Sequence, residues 1–214
     1  MSNIILHSYW RSSCSWRVRI ALAHKKIKYQ YKAVHLLNDG GEQFKPDYVK
    51  LNPSKEVPTL EIDGHAICQS VAILEYLEET RPENPLLPTN PIEKAKVRQL
   101  VNIVASDTQP VQNLRVLLYA MSKGADKLEW GKHWITKGFE AFEQVVASTA
   151  GQYCVGDQVT LADVALVPQV YNANRFGVDM SQFPTINRIH AALEELDAFK
   201  AAHPDVQPDA PSDN

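Results

Sequence analysis

The chain has 214 residues, of which 44% are hydrophobic and 22% charged, and its formal net charge at pH 7 is −3. This is an ordinary globular composition, and the small negative charge excludes the general basic field of a nucleic-acid-binding protein. No run approaches the roughly 20 apolar residues of a membrane span, and the first residues lack the pattern of a secretory signal. We therefore expect neither nucleic acid nor a membrane as a partner.

The three cysteines are Cys14, Cys68 and Cys154. None forms a Cys-x-x-Cys pair, and no cysteine–histidine group has the spacing of a zinc site. An odd and sparse set of cysteines is typical of a reducing compartment rather than of a disulfide framework. The sequence therefore predicts a cytoplasmic protein without a metal site, in which Cys68 and Cys154 are small core residues.

The first part of the chain predicts a strand, a helix and a second strand. Residues 3–10 read as a strand, and the serines of the next turn suit the N-cap of a helix that ends near Lys25. Residues 28–36 alternate with period two, which predicts a second strand. Because a helix joins these two strands, we expect them to be parallel.

The next segment predicts a short helix, a hairpin and another helix. Residues 42–51 suggest an irregular helix, and residues 57–62 and 65–68 read as two antiparallel strands joined by Asp63-Gly64, a strong hairpin signal. Ser70 is then a candidate N-cap for a helix that runs to about Arg81.

A proline-rich stretch divides the chain. Residues 82–91 carry four prolines and read as a linker, and beyond it only helical patterns appear, at 92–121, 127–149, 161–175 and 185–200. Thr160 and Asp163 have capping-box spacing. We therefore predict a first domain at 1–81, a linker at 82–90, an all-helical domain at 91–203 and a flexible tail at 204–214.

Chemistry is first suggested by the turn that follows the first strand, where Ser12, Ser13, Cys14 and Ser15 stand at a predicted helix N-terminus. Unpaired N–H groups there favour an anion, and a serine hydroxyl can donate to a thiolate and lower the pKa of its thiol. The alternative is ordinary capping next to a buried Cys14.

Two other places suggest ligand contacts. If the Val57–Pro58 peptide is cis, the backbone of Val57 can face outward and pair with a peptide ligand as an added strand; a trans proline at a strand start is the commoner alternative. The N–H groups at Gln69-Ser70 and the Ser70 hydroxyl can hold a carboxylate, or they serve only in capping.

The run SSCSWRVRIAL (12–22) resembles the signature of zeta-class glutathione transferases, the maleylacetoacetate isomerase family. Matching stretches extend over almost the whole chain: LNPSKEVPTLEIDG (51–64), QSVAILEYLEETRP (69–82), QPVQNLRV (109–116) and YCVGDQVTLADVALVPQVYNANRF (153–176). The resemblance implies an α/β plus all-α architecture, with an N-terminal thioredoxin-like βαβ-α-ββα domain and a C-terminal helical domain. It also implies glutathione as cofactor and a homodimer.

The resemblance also implies roles for individual residues. Ser12 matches the residue that activates the glutathione thiol, and Ser13 and Cys14 stand beside it as further catalytic candidates. Arg115 stands where other members carry a smaller polar residue. The residues implied to bind glutathione are Ser12, Ser13, Cys14, Ser15, Gln43, Val57, Pro58, Gln69, Ser70, Gln109, Asn113 and Arg115.

The implied reaction is the cis–trans isomerisation of maleylacetoacetate to fumarylacetoacetate in tyrosine and phenylalanine breakdown, by reversible addition of the glutathione thiolate. The substrate carries two carboxylates, for which arginine is a bidentate partner, and Arg11 and Arg175 are the candidates. Four alternatives stay open: maleylpyruvate as substrate, a general zeta-class glutathione S-transferase, a Cys14-based thiol–disulfide enzyme, and a non-catalytic binding protein.

Overall fold

The computed structural model describes residues 4–211, which form two compact units. One unit comprises the described residues up to Pro85 together with those from Asp197 onward, and the other comprises Leu86–Leu196. The first boundary, between Pro85 and Leu86, lies inside the segment predicted as a linker. No helix within residues 4–211 has the length and apolar character needed to span a bilayer.

Four short strands and a series of helices make up the two units. The strands are β1 (Ile5–Ser8), β2 (Gln30–Ala33), β3 (Thr59–Ile62) and β4 (His65–Cys68). The α-helices are α1 (Ser13–His24), α2 (Pro46–Leu51), α3 (Ser70–Thr80), α4 (Pro91–Asn102), α5 (Leu114–Ser122), α6 (Lys127–Ala147), α7 (Leu161–Arg175), α8 (Pro184–Glu194) and α9 (Asp197–Ala202).

The strands form one mixed sheet in the order β2-β1-β3-β4. β1 and β2 are parallel, whereas β3 is antiparallel to both β1 and β4. Asp63 and Gly64 both have positive φ, at 53° and 81°, as a type I′ hairpin turn requires. The predicted parallel pair, the hairpin and the order βαβ-α-ββα are therefore confirmed.

β1 and β2 are shorter than the predicted strands at 3–10 and 28–36. β1 ends at Ser8 because the chain turns there: the Ser12 N–H donates to the carbonyl of Tyr9 at 2.9 Å. β2 ends at Ala33, and the N–H of His35 donates instead to the Glu42 carboxylate at 2.7 Å. Local side-chain and turn contacts thus replace the ladder hydrogen bonds that a longer strand would make.

The C-terminal segment, residues 197–211, differs from the predicted domain bounds, since it belongs to the first unit rather than to the helical domain or a separate tail; residues 212–214 of the predicted tail lie outside the described residues. α9 packs against α1 in the first unit. The Arg19 guanidinium donates to the carbonyl of Ala202 at 3.1 Å, and Asp209 accepts from the backbone N–H of Trp10 at 3.0 Å. Long-range polar contacts, buried or partly buried, hold a segment whose own composition is poor in apolar residues.

In the second unit, the helical pattern predicted over 92–121 is interrupted. A π-helical segment (Ile103–Thr108) and a 3₁₀ turn (Pro110–Gln112) separate α4 from α5. Pro110 lacks an N–H group and cannot continue an α-helix. Gly138 of α6 faces this segment, and a Cβ at that position would overlap the side chain of Thr108. The pattern predicted over 185–200 is likewise divided, between α8 and α9.

The start of α7 contains a buried carboxylate, that of Asp163. It accepts hydrogen bonds from the Thr160 N–H at 2.8 Å, the Thr160 hydroxyl at 2.9 Å and the Cys154 N–H at 2.9 Å. The predicted capping box is confirmed. Burial raises the pKa of Asp163, and burial also raises the pKa of the Cys154 thiol beside it. Because solvent cannot reach these donors, they depend on Asp163 for their acceptor.

Candidate active site

The first predicted site residue, Ser12, is the N-cap of α1. Its hydroxyl oxygen accepts from the Ser15 N–H at 3.2 Å, as capping predicts. Between residues 4 and 211, the Ser12 hydroxyl proton meets no acceptor. The first turn of α1 carries no acidic side chain, so the positive end of the helix is not offset locally. Ser12 can therefore donate a hydrogen bond to an anionic sulfur placed at this helix end.

The other residues of this turn differ in exposure. Cys14 is a free, partly exposed thiol, and Ser13 is 8% exposed. Ser15 is fully buried, so its side chain is not accessible to a ligand, and it contributes to the turn through the N–H that caps onto Ser12. Ser12 is thus the most exposed serine of this turn, and its hydroxyl is available as a donor.

Arg19, for which the sequence predicted no role, stabilises this turn through hydrogen bonds to the residues before Ser12. It is 1% exposed, and its guanidinium donates to the Ser8 hydroxyl at 3.1 Å and to the Trp10 carbonyl at 2.9 Å. Burial lowers the pKa of Arg19 to about 10, which leaves it charged at neutral pH. The sequence feature that could have indicated this role is the position of a charged residue between the apolar Val18 and Ile20 in a helix predicted to be apolar.

The Val57–Pro58 peptide is cis, which decides between the two conformations left open. Val57 is 6% exposed, and in the described part of the chain neither its N–H nor its C=O has a hydrogen-bond partner. Unpaired backbone groups beside a sheet can bind an extended peptide as an added strand.

Tyr48 and Asn52 support this loop, and the sequence reasoning missed both. The Tyr48 hydroxyl and the Asn52 amide donate to the carbonyl of Glu56, at 2.6 Å and 2.7 Å. Asn52 also donates to the Thr59 hydroxyl at 3.1 Å. These contacts fix the residues on both sides of Val57–Pro58.

Gln69 and Ser70 stand at the start of α3. The sequence predicted Ser70 as the N-cap, but the N-cap in the structure is Gln69. Gln69 has a φ of 72°, an uncommon conformation for a residue other than glycine, and Ser70 is the first helical residue. The Ser70 hydroxyl oxygen instead accepts a hydrogen bond from Arg17 at 3.2 Å. The Ser70 proton is therefore free to be donated to a carboxylate.

Arg17 is a buried cation that the sequence reasoning also missed. It is 2% exposed, and its Nε and Nη2 atoms have no partner among residues 4–211. A buried guanidinium with unsatisfied donors is costly unless negative charge lies near it. Because Arg17 donates to the Ser70 hydroxyl, its positive charge lies next to Ser70 and favours an anion bound there.

Gln43 lies in a 3₁₀ turn (Glu42–Phe44) and is 6% exposed. Its amide nitrogen donates to the Leu36 carbonyl at 3.5 Å, and its amide oxygen has no partner in the described residues. Gly41, two residues before Gln43, has a φ of 106°, and a Cβ there would stand 2.6 Å from the Gln43 amide. The glycine therefore allows Gln43 its position.

Other predicted residues belong to the second unit. Gln109 is 7% exposed and follows the π-helical segment, and Asn113 caps α5 by accepting from the N–H of Arg115 at 3.4 Å. Arg115 is exposed on α5. Arg175 is exposed at the end of α7, where it donates to Asn172 at 3.2 Å and its Cζ lies 5.7 Å from the Phe176 ring centroid.

Arg11 belongs to the first unit, and its Cζ lies 5.3 Å from the ring centroid of Trp10. Within residues 4–211 no group of three or more histidine, cysteine, aspartate or glutamate residues could hold a metal ion.

The first unit brings together the Ser12 turn and the Arg17–Ser70 pair through α1, which carries both Ser13 and Arg17.

The sequence matches two family descriptions. Residues 11–80 match "Glutathione S-transferase, N-terminal domain", and residues 112–202 match "Glutathione S-transferase, C-terminal domain". A maleylacetoacetate isomerase of Dictyostelium discoideum is 57% identical over 209 residues, which cover 96% of this chain and 95% of that protein.

Solved structures are similar over the same extent. The holo structure of a bacterial maleyl pyruvate isomerase, a glutathione S-transferase of the zeta class, has a TM-score of 0.93 and 43% identity, with 97% of this chain and 100% of that chain covered. The maleylacetoacetate isomerase of Anaeromyxobacter dehalogenans, with glutathione bound in its active site, has a TM-score of 0.89 and 47% identity, with 98% of each chain covered.

Proposed function

The chain belongs to the glutathione S-transferase family, and we propose that it catalyses the glutathione-dependent cis–trans isomerisation of maleylacetoacetate to fumarylacetoacetate. The observation that carries this proposal is the Ser12 turn, in which an accessible hydroxyl with an unengaged proton stands at the positive end of α1. A relative at 57% identity named maleylacetoacetate isomerase, matched over nearly its whole length, supports the choice of substrate.

The residues of the first unit fit glutathione as the cofactor. Val57 offers an unpaired N–H and C=O to a peptide backbone, and Ser70 offers a hydroxyl proton to a carboxylate, with the buried cation of Arg17 behind it. Glutathione bound there supplies a thiolate that adds reversibly to a conjugated double bond and so allows rotation about it. Gln43, with an unsatisfied amide oxygen, is a further candidate contact.

This chain's own residues supply charge stabilisation and orientation. Ser12 donates a hydrogen bond to the thiolate sulfur, and the N-terminus of α1 adds its positive end. Ser13 and Cys14 line the same turn. Gln109, Asn113 and Arg115 are proposed as cofactor contacts from the second unit, and Arg11 and Arg175 as partners of the substrate carboxylates.

The test is an isomerase assay with purified protein. We expect conversion of maleylacetoacetate to fumarylacetoacetate that requires glutathione and leaves its concentration unchanged. A general transferase would instead consume glutathione as a conjugate, and a binding protein would be retained on immobilised glutathione without turnover. The second candidate substrate is maleylpyruvate, which the 43% identical maleyl pyruvate isomerase favours. A higher kcat/KM for maleylpyruvate would overturn the choice of maleylacetoacetate.

Cys14 distinguishes isomerisation from thiol–disulfide chemistry. If the reacting thiol belongs to glutathione, Cys14→Ala removes only a neighbouring side chain, and we expect a loss of isomerase activity below about tenfold, or ~1.4 kcal/mol. The measurement is the isomerase rate beside a disulfide-reduction assay. Complete loss of the isomerase in Cys14→Ala, with disulfide reduction by the wild type, would support the redox enzyme instead.

Arg11 and Arg175 are expected to bind the two carboxylates, since burying such charge without a partner is costly. Replacement of either arginine by lysine keeps the charge but loses the planar fork. We expect Arg175→Lys and Arg11→Lys each to raise KM for maleylacetoacetate by roughly 5- to 30-fold, about 1–2 kcal/mol. A neutral electrophile such as a chlorinated nitrobenzene should be affected less.

The matched control for Arg175 is Arg188→Lys, because Arg188 is an exposed arginine of the same unit that donates to the Gln152 carbonyl at 3.3 Å. KM should stay at the wild-type value in this variant. Unchanged kinetics in both Arg175→Lys and Arg11→Lys would mean that other groups meet the charge of the substrate.

We also propose that the protein is a cytoplasmic homodimer that needs no nucleic acid or membrane. The sparse cysteines are compatible with a reducing compartment, and the family resemblance is the basis for the dimer. Cell fractionation tests the compartment. Light scattering should give twice the mass of the chain, and the mass of a single chain would overturn the dimer.

A further inference from the structure

We propose that Asp209, in the C-terminal segment, is a positioning residue for the turn that carries Ser12. The proposal rests on the function proposed above, in which Ser12 stabilises the thiolate of bound glutathione. Asp209 lies 199 residues from Trp10 in the sequence, and yet its carboxylate accepts the backbone N–H of Trp10 at 3.0 Å. Trp10 stands two residues before Ser12, at the start of the turn.

The peptide groups on the two sides of Trp10 are held by side chains of opposite charge. Asp209 accepts the N–H of Trp10, and Arg19 donates to the C=O of Trp10 at 2.9 Å. Arg19 also reaches the carbonyl of Tyr9 at 3.4 Å, and this carbonyl accepts the N–H of Ser12. The backbone from Tyr9 to Ser12 is therefore fixed by one buried cation and one carboxylate.

Both oxygens of Asp209 are engaged. Oδ2 accepts the N–H of Trp10, and Oδ1 accepts the hydroxyl of Tyr31 at 2.6 Å. Tyr31 belongs to β2, the strand that pairs with β1 directly before the turn. Burial, followed by the hydrogen bond to Asp209, raises the pKa of Tyr31, so this hydroxyl stays a neutral donor. Tyr31 thus fixes the carboxylate in the orientation that receives Trp10.

The C-terminal segment has other anchors, which separate the effect of Asp209 on the turn from the docking of the segment itself. α9 packs on α1, with Phe199 and Ala202 buried. Arg19 donates to the Ala202 carbonyl at 3.1 Å, and the rings of Trp16 and His203 are in edge contact at 5.2 Å. Loss of the Asp209 carboxylate alone leaves these contacts in place.

The experiment measures the pKa of the thiol of bound glutathione by ultraviolet absorbance of the thiolate, and the binding of S-methylglutathione, which has no thiol to ionise. In Asp209→Ala we expect the bound thiol pKa to rise by about one pH unit, and kcat measured at a pH below that pKa to fall about tenfold, since one pH unit is a tenfold change in thiolate stabilisation. S-methylglutathione should bind within about twofold of the wild type, because a factor of two is only ~0.4 kcal/mol.

Two variants and one control complete the design. Tyr31→Phe leaves the Trp10 contact and should shift the thiol pKa less than Asp209→Ala does. Asp209→Asn keeps the shape of the side chain and should fall between Asp209→Ala and the wild type, which also provides a reading if Asp209→Ala does not fold. The control is Asp205→Asn in the same segment, where the exposed Asp205 lies 3.5 Å from the His203 imidazole; this variant should behave as the wild type.

Two results would overturn the proposal: an unchanged thiol pKa in both Asp209→Ala and Asp209→Asn, or an equal loss of S-methylglutathione affinity and of kcat. The thiol titration and the binding of S-methylglutathione are independent of the substrate. If the wild type binds glutathione as a thiolate but does not isomerise maleylacetoacetate, the proposed function fails while the titration still decides the role of Asp209.

Discussion

Ser12→Ala is expected to lower kcat for isomerisation by roughly 30- to 1000-fold, which corresponds to a loss of ~2–4 kcal/mol for one donor to a developing charge. The Ser12 hydroxyl receives the N–H of Ser15 through its oxygen, so its proton can be given to the thiolate. Alanine removes that donor and leaves the N-terminus of α1 in place. Titration of bound glutathione should show a raised thiol pKa, and KM for glutathione should change less than kcat.

Ser12 also caps α1, and the loss of a cap costs about 1 kcal/mol of stability. Ser12→Gly separates the two roles, because glycine is tolerated at an N-cap but carries no hydroxyl. Both variants should lose activity to a similar extent, and Ser12→Ala should lose more thermal stability. The control is Ser54→Ala at an exposed serine of the same unit. Full activity with an unaltered thiol pKa in Ser12→Gly would remove Ser12 from the mechanism and turn attention to Ser13.

Asp163→Ala is expected to be the most destabilising single change considered, at about 3–5 kcal/mol in the free energy of unfolding. Asp163 is fully buried and accepts from the backbone N–H groups of Thr160 and Cys154 as well as from the Thr160 hydroxyl. Each buried donor that loses its acceptor costs about 1–3 kcal/mol, and alanine offers no replacement. Urea denaturation followed by far-ultraviolet circular dichroism measures the difference.

Asp126→Ala is the matched control for Asp163→Ala. Asp126 caps α6 by accepting the Glu129 N–H at 2.8 Å, but it is exposed, so water can replace it. The cost there should be about 1 kcal/mol. Asp163→Asn keeps one acceptor and should lie between the two. Equal losses in Asp163→Ala and Asp126→Ala would contradict the buried-acceptor explanation.

The parts of the fold that depend on neighbours in sequence were predictable. The Ser12 cap, the Asp63-Gly64 hairpin and the Thr160–Asp163 capping box each join residues at most three positions apart, and side-chain type alone identifies such motifs. The parallel pairing of β1 and β2 followed from the helix between them. Family resemblance added the candidate contacts that no local pattern distinguishes from ordinary capping.

The contacts that were missed join residues distant in sequence through buried or partly buried polar groups. Arg17 donates to the Ser70 hydroxyl, and Arg19 donates to the Ala202 carbonyl. Asp209 accepts from the Trp10 N–H. Composition made the last segment look unstructured because it has few apolar residues, whereas its docking depends on specific hydrogen bonds. The π-helical interruption at Ile103–Thr108 depends on packing against α6, which has no signature within the segment itself.

The C-terminal segment also has a consequence for synthesis on the ribosome. β1, α1 and the sheet emerge first, but the surface of α1 that α9 covers stays open until the whole of Leu86–Leu196 has been translated. At about 5–20 residues per second, that interval lasts on the order of 5–20 s. During it, the nascent chain presents an uncovered face of α1 and a Trp10 turn that lacks its contact with Asp209, a state in which chaperones can bind and aggregation competes with folding.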